Sequence, residues 1–392
     1  MKVLIVNSVC GVGSTGRICE SIAKKVDTVG ESVVAYGRGN YTGEVQTYKI
    51  GNDYDVLRHY VSSRLFSLHG RKSKKPTQNL INFIKDYNPD IINLHNIHGY
   101  YLNYELLFKF LKTTNIKIVW TLHDQWPFSP HAAYIEENID GTLPTEIMNR
   151  NELNEYPKTF SYLFSKKNYQ IKRELFSLID KNQMIIVTPS KWLANLTKNT
   201  FLGKYKVKVI NNGINLDTFK PMSFPKSKEK KKVLGVASVW DNRKGLDYLL
   251  EIAEKDKYDV TIVGKTNRDL SKHKLNYIQR TNNAVELAKF YSQADVFVNP
   301  TLADNFPTTN IESIACGTPV ITFATGGSGE CLDEEIGKVL AEKTVESLMN
   351  AIDETEKNRK VSEKCVEKSK EYNEKDKFGE YLSLFEHVLI NK

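Results

Sequence analysis

Asp304 and Glu312 stand eight positions apart in the stretch VNPTLADNFPTTNIESIACGTPV, residues 298–320, with a Phe-Pro-Thr-Thr loop between them. Ile311, Ile314 and Ala315 follow with the spacing of a buried helix face, so the loop opens a helix. Thr308, Thr309 and Asn310 are capping types at its start, and the free N–H groups of such an end, with the helix dipole, favour bound phosphate. A second anion site is predicted at Asp241-Asn242-Arg243-Lys244-Gly245, where a strand turns through two cations into a helix at Leu246. The bland alternative makes Asp304 an N-cap and Glu312 a surface residue.

Around these groups, Cys316-Gly317-Thr318-Pro319 stops the helix, since glycine accepts a left-handed terminus and proline cannot continue. Val320-Ile321-Thr322-Phe323 is a short buried strand, and a turn over 325–330 closes the unit.

The start of the chain has the same logic. A strand over 2–6 runs through Gly11-x-Gly13-x-x-Gly16 into a helix carrying Ile18, Ile22 and Val26. This spacing is the dinucleotide fingerprint, which requires an acidic residue ending the second strand; that strand, 32–36, runs instead into Gly37-Arg38-Gly39. Strands over 89–95 and 116–120 lead to His95 and His123-Asp124, and ligands of open α/β sheets gather at such carboxyl ends. For His95 the reading is a hydrogen-bonded core residue.

Residues 52–75 read as helical, ending in the basic cluster 71–75, a solvated helix end with membrane-surface contact as its alternative. Asp53-Tyr54-Asp55 matches the Asp-x-Asp of metal-using transferases, but Gly51-Asn52 before it and a helical pattern after it predict capping, so no metal is assigned. From 125 to 167 the pattern breaks up, with a polar stretch at 134–160 of the kind that forms lids, and aromatics whose faces could stack on a ring of a bound ligand. Residues 221–232 read as a linker, strands recur at 233–240, 258–264 and 296–299, and a last helix carries Phe378, Tyr381, Leu382, Leu384, Phe385 and Val388 on one face.

With 392 residues, two domains are the default, and alternating strands and helices mean parallel, doubly wound sheets. Five scattered cysteines without a Cys-x-x-Cys pair argue against a disulfide framework or a zinc site. No apolar run is long enough to span a membrane, and the N-terminus lacks a signal-peptide pattern, so a cytoplasmic protein is expected. A net charge of +8 fits a Lys-rich surface, a phosphorylated substrate or an acidic membrane face; nucleic acid ranks last because no binding motif accompanies the charge.

The acidic residue, aromatic loop, Glu312 and Ala-Cys-Gly-Thr-Pro-Val together resemble the signature of the retaining glycosyltransferases of family 4. Asp-Asn-Phe-Pro-Thr-Thr-Asn is similar to the branch that builds bacterial capsule and exopolysaccharide of the colanic-acid type. Three departures stand out: Asp304 replaces the usual Glu, Pro307 a usual Gly, and Val239 the usual Arg five positions before Lys244, leaving Arg243 as the candidate replacement.

The resemblance implies an α/β GT-B architecture of two facing Rossmann-like doubly wound parallel-sheet domains with the active site between them. Residues 1–218 would form the acceptor-side domain and 219–375 the nucleotide-sugar domain, with the helix 376–392 crossing back to the first. It implies transfer of a sugar from a UDP- or GDP-sugar to the hydroxyl of a glycan or lipid-linked glycan, with retention, without metal and without a tightly bound cofactor. Lys244 and Arg243 would neutralise the diphosphate, Asp304 would accept from sugar hydroxyls, Glu312 from ribose hydroxyls, and His123 would touch the transferred sugar. Gly13 would lie near the donor phosphates, Arg280 and Asn282 near the base, and Asn305, Phe306, Thr308 and Thr309 along the donor loop. The expected setting is cytoplasmic, with peripheral contact at the inner membrane face. Rival readings are a sugar-nucleotide epimerase of the same form and a catalytically silent carbohydrate-binding scaffold.

Overall fold

A computed structural model describes residues 1–135, 156–161, 164–224, 230–281 and 283–390. The chain divides into two compact units, Met1–Ile210 with Phe378–Lys392, and Asn211–Lys377.

The first unit alternates strand and helix: β1 (Lys2–Asn7), α1 (Gly13–Val26), β2 (Glu31–Tyr36), β3 (Thr47–Lys49), α2 (Asp53–Phe66), α3 (Lys74–Tyr87), β4 (Ile91–Leu94), α4 (Tyr104–Leu111), β5 (Lys117–Thr121), α5 (Ser165–Phe176), β6 (Met184–Thr188), α6 (Lys191–Lys198) and β7 (Lys206–Val209). Its seven strands are all parallel in the order β3-β2-β1-β4-β5-β6-β7. Unbroken apolar runs form its central strands because both faces are covered. In β1, Leu4 and Val6 enter one core with Ile92, Ile118 and Trp120, while Val3 and Ile5 enter the opposite core with Val119, Ile18 and Ile22.

The second unit holds β8 (Lys231–Val239), α7 (Leu246–Glu254), β9 (Tyr258–Lys265), β10 (Asn276–Ile278), α8 (Ala284–Gln293), β11 (Val296–Asn299), α9 (Thr308–Ala315), β12 (Val320–Phe323), β13 (Gly337–Leu340), α10 (Val345–Glu354) and α11 (Arg359–Ser369). Its six parallel strands run β10-β9-β8-β11-β12-β13. Helix α12 (Glu374–Ile390) ends the described chain, and its Phe378, Tyr381, Leu384, Phe385 and Val388 are buried in the α1 face of the first unit. In each sheet the strand order reverses beside the first strand, at β1/β4 and at β8/β11, and such reversals open crevices at the carboxyl ends of the strands.

The helix expected over 52–75 is two helices. Ser67 takes a left-handed backbone (φ 52°) that ends α2, Gly70 (φ 76°) turns the chain, and Lys74 opens α3. The basic cluster therefore leads into a helix N-terminus, where the dipole adds to its positive potential instead of offsetting it. The capping predicted at Asp53-Tyr54-Asp55 is present: Asn52 Oδ1 accepts from Asp55 N and Asp55 Oδ2 from Asn52 N. Residues 231 and 232, read as linker, belong to β8. Most of the stretch 134–160 lies outside the described residues.

Candidate active site

At the β8/β11 reversal the turn after β8 lies against the loop after β11. Gly245 makes this approach possible: its φ is +72°, and a Cβ there would stand 2.1 Å from Pro300 O. Asp241 Oδ1 caps the turn by accepting from Lys244 N at 3.1 Å, and Leu302 N donates to Arg243 O at 2.7 Å. The two loops thereby bring three of the expected site residues together. Lys244 Nζ is 2.5 Å from Asp304 Oδ2, and Arg243 Nη1 is 3.8 Å from the same oxygen while donating to Ala303 O at 2.6 Å. The side chains of Arg243, Lys244 and Asp304 are only 18%, 21% and 11% exposed. Burial alone would raise the Asp304 carboxyl, but Lys244 and Arg243 outweigh it and hold the group below the usual carboxylate range.

Asp304 is not the N-cap of α9. Pro307 occupies that position, no side chain caps the helix, and Thr308 and Thr309 begin its first turn half-buried. Asn310 is buried, donates to Ser328 O and accepts from Asn299 Nδ2, both at 2.8 Å, which fixes the helix start to the end of β11. Glu312, one turn further on, is half-buried and accepts from Tyr291 Oη at 3.1 Å. Burial and, next, the Glu312 charge hold the Tyr291 phenol well above its usual value, so it stays a donor. Gly317 (φ 74°) ends α9 as expected.

The other donor-loop residues are placed as follows. Asn305 is buried, and its N–H donates to Asp304 Oδ1 at 3.0 Å. Phe306 is buried against Tyr372, with ring centroids 5.8 Å apart. Arg280 is exposed after β10, the edge strand, and no hydrogen bond or ion pair among the described residues links it to the cluster. Asn282 lies outside the described residues, while Asn283 caps α8 through Glu286 N.

In the first unit the glycine loop forms between β1 and α1. Gly13 (φ +65°) opens the helix, and Gly16 is packed so that a Cβ would stand 3.1 Å from Val9 Cγ2. His123 follows β5 and stacks on His95, which follows the neighbouring β4, at 5.1 Å and 17°. Asn93 Nδ2 donates to Val119 O at 2.9 Å, so its Oδ1 accepts from His95 Nε2 at 2.8 Å. Neutral His95 then presents Nδ1 as acceptor, and His123 Nε2, 2.8 Å away, carries the proton. Burial pushes His123 down to about 4 despite the Asp124 charge, so its ring is neutral at pH 7. Asp124 itself pairs with His98 Nε2 at 2.8 Å.

Sequence reasoning missed Tyr291, Asn93 and His98 as partners of these groups. Tyr291 is contributed by α8, and nothing in its local pattern distinguishes it from a core aromatic. His98 followed a strand and was visible by position alone.

Two Rossmann-like parallel-sheet units of seven and six strands define the GT-B fold. Sucrose-phosphate synthase from Thermosynechococcus elongatus superposes with a TM-score of 0.72 at 14% identity, covering 100% of both chains. HepE from Anabaena, in complex with UDP, superposes at 0.63 and 13%, covering 99% of this chain and 100% of its own. Residues 31–218 match the family described as Glycosyltransferase Family 4, and residues 219–372 match Glycosyl transferases group 1. The chain belongs to these glycosyltransferases. The putative colanic acid biosynthesis glycosyl transferase WcaC of Escherichia coli K12 is 25% identical over 276 residues, 67% of this chain and 66% of that protein. The other curated relatives are matched over 46–61% of their length. Among the described residues no helix is long and apolar enough to cross a membrane.

Proposed function

We propose that the protein transfers a sugar from a UDP- or GDP-sugar to a hydroxyl of a glycan or lipid-linked glycan, with retention, in surface polysaccharide biosynthesis. The observation that carries this reading is the half-buried Arg243–Lys244–Asp304 cluster at the β8/β11 reversal. UDP in HepE and the colanic-acid assignment of WcaC support the donor and the pathway class.

In the proposed reaction the bond from the anomeric carbon to the diphosphate oxygen breaks while the acceptor oxygen bonds to the same face. The acceptor proton passes to the leaving phosphate. The transition state has oxocarbenium character, and the charge that grows on the diphosphate is what Lys244, Arg243 and the N–H groups opening α9 stabilise. Asp304 accepts from sugar hydroxyls and, as ligand of both cations, fixes where they point. Glu312, oriented by Tyr291, accepts from the ribose. In the first unit His123 is assigned to the transferred sugar and the Gly13 loop to phosphate. With two side-chain cations at the diphosphate, turnover is expected to continue in EDTA.

The test is a thermal-shift panel of nucleotide sugars, followed by product analysis with the stabilising donor. The reading expects free nucleoside diphosphate released stoichiometrically with a new glycoside of unchanged anomeric configuration. A donor converted to an isomer without release of diphosphate, or an inverted product, overturns it.

A further inference from the structure

Where a dinucleotide fold ends its second strand on a carboxylate, this chain places an arginine. Strand β2 ends at Tyr36 and runs into Gly37-Arg38-Gly39. The backbone there is fixed: Arg38 N donates to Ser8 O at 2.9 Å, and a Cβ at Gly37 would stand 2.1 Å from Tyr101 Cβ. Arg38 is half-buried, its Nε is buried without a hydrogen-bond partner, and it joins no ion pair among the described residues. The carboxylate of this neighbourhood, Asp124, is already used, Oδ2 by His98 Nε2 at 2.8 Å and Oδ1 by Trp126 N at 3.0 Å. An arginine near this point is how folds of this kind hold an anion.

Gly99 connects Arg38 to a second unmet group. A Cβ on Gly99 would stand 3.5 Å from Arg38 Nη2, so the guanidinium lies against this turn. The preceding residue, His98, has a side chain only 6% exposed. Because its Nε2 donates to Asp124, the neutral ring leaves Nδ1 as an acceptor, and that nitrogen is buried with no partner among the described residues. Tyr156 joins the two residues: its ring centroid is 5.7 Å from that of His98, its hydroxyl accepts from the Arg38 guanidinium, and 38% of it is open to solvent. Buried polar groups are normally paired, and a charged donor left unmet costs more than a neutral one. Here a cationic donor and a neutral acceptor, both unmet, stand beside one exposed aromatic ring.

We propose that Arg38 and His98 form a saccharide subsite in the first unit that selects an acceptor carrying an anionic group, a carboxylate or a phosphate. Arg38 donates to the anion, His98 Nδ1 accepts from a neighbouring hydroxyl, and the sugar ring lies against Tyr156. A neutral saccharide satisfies His98 and leaves the arginine charge unmet, which is the source of the selectivity. His123, assigned above to the transferred sugar, is close enough for a charge on His98 to lower it, so the two histidines serve adjoining sugars. The inference rests on the sugar-transfer reading only in naming this saccharide the acceptor.

The experiment titrates the full chain, by calorimetry, with glycosides that differ only at carbon 6: methyl β-D-glucopyranoside, methyl β-D-glucuronide and methyl β-D-glucopyranoside 6-phosphate, with the matching galactosides alongside. One of the anions is expected to bind the parent about 10- to 150-fold more tightly than its neutral counterpart, and the larger preference identifies the group. Arg38→Gln should abolish the preference, and Arg38→Lys, which keeps the charge without the fork, should retain part of it. His98→Phe should weaken neutral and anionic glycosides alike. The 4-deoxy form of the preferred anion, which lacks the hydroxyl next to carbon 6, repeats that test on the parent without a mutation. Equal affinity for neutral and anionic glycosides, no binding of any of them, a preference that survives Arg38→Gln, or full affinity for the 4-deoxy form overturns the proposal. So does NADP+ binding that Arg38→Gln removes, without glycoside binding, since the anion would then be a nucleotide phosphate. Nucleoside diphosphate titrated into the same samples tests the sugar-transfer reading separately. Its failure to bind beside an intact glycoside preference sinks that reading and leaves the subsite, and the converse removes the subsite alone.

Discussion

Lys244 Nζ and Asp304 Oδ2 lie 2.5 Å apart, joining the turn after β8 to the loop after β11 across the strand reversal of the second sheet. Two residues sixty positions apart in sequence thus make one charge centre, and Arg243 shares it. Asp304→Asn leaves both cations without their shared counter-charge, and hydrogen bonds to charged groups are worth about 1.5–3 kcal/mol. The variant should lose stability of that order in urea unfolding while keeping affinity for nucleoside diphosphate, because the phosphates no longer compete with a carboxylate. Turnover should fall. A variant as stable as the parent, or one that binds diphosphate more weakly, contradicts the arrangement.

Arg243 turns inward to Ala303 O and Asp304, and Val239, the position at which the family usually has Arg, is 55% exposed near the end of β8. Arg243→Ala should lower kcat on the order of 100-fold, the usual consequence of removing one charge-stabilising donor from a water-excluded site. Adding Val239→Arg should restore part of the loss. Parental turnover in Arg243→Ala would leave Lys244 as the side-chain cation that matters.

Glu312 and Tyr291 should act as a pair on the nucleotide. Glu312→Gln replaces a charged acceptor and should weaken binding of the nucleoside diphosphate roughly 10- to 150-fold. Tyr291→Phe should lose less, since it removes only the group that orients Glu312 at 3.1 Å. Calorimetry decides this, and equal affinity in parent and Glu312→Gln refutes the ribose role.

The first unit should be acid-labile. Burial is the main cause that lowers His59 and His131 to about 3, His123 to about 4, and His69 and His95 well below the usual value. Unfolded histidines titrate near ~6.5 and bind protons the native state refuses, so stability is full above about pH 6.5 and is lost as pH falls toward about 4. Each such proton contributes a slope of about 1.4 kcal/mol per pH unit. Urea unfolding followed in the first unit should steepen accordingly across this window; a flat profile contradicts the buried neutral rings.

What was legible in the sequence was local. The β8 turn with Arg243 and Lys244, the glycine loop at Gly13 and the end of α9 at Gly317 each follow from a few neighbouring residues, and each is found where the pattern puts it. The break between α2 and α3 was hidden because Ser67, a residue without a strong left-handed preference, supplies it. Pairings set by strand order were hidden too: the Lys244–Asp304 ion pair, Tyr291 on Glu312, and His95 on His123 all need the register of parallel strands or packed helices, which residue types do not encode locally.

In the proposed reaction the Arg243–Lys244 cluster binds the donor's diphosphate. Calorimetric titration of UDP, GDP and the corresponding nucleosides into the parent and an Arg243→Ala, Lys244→Met variant tests it most directly. One diphosphate is expected to bind the parent at least on the order of 100-fold more tightly than its nucleoside, and the variant to lose this preference while still binding the nucleoside. A variant that keeps the parent's preference for the diphosphate would contradict it.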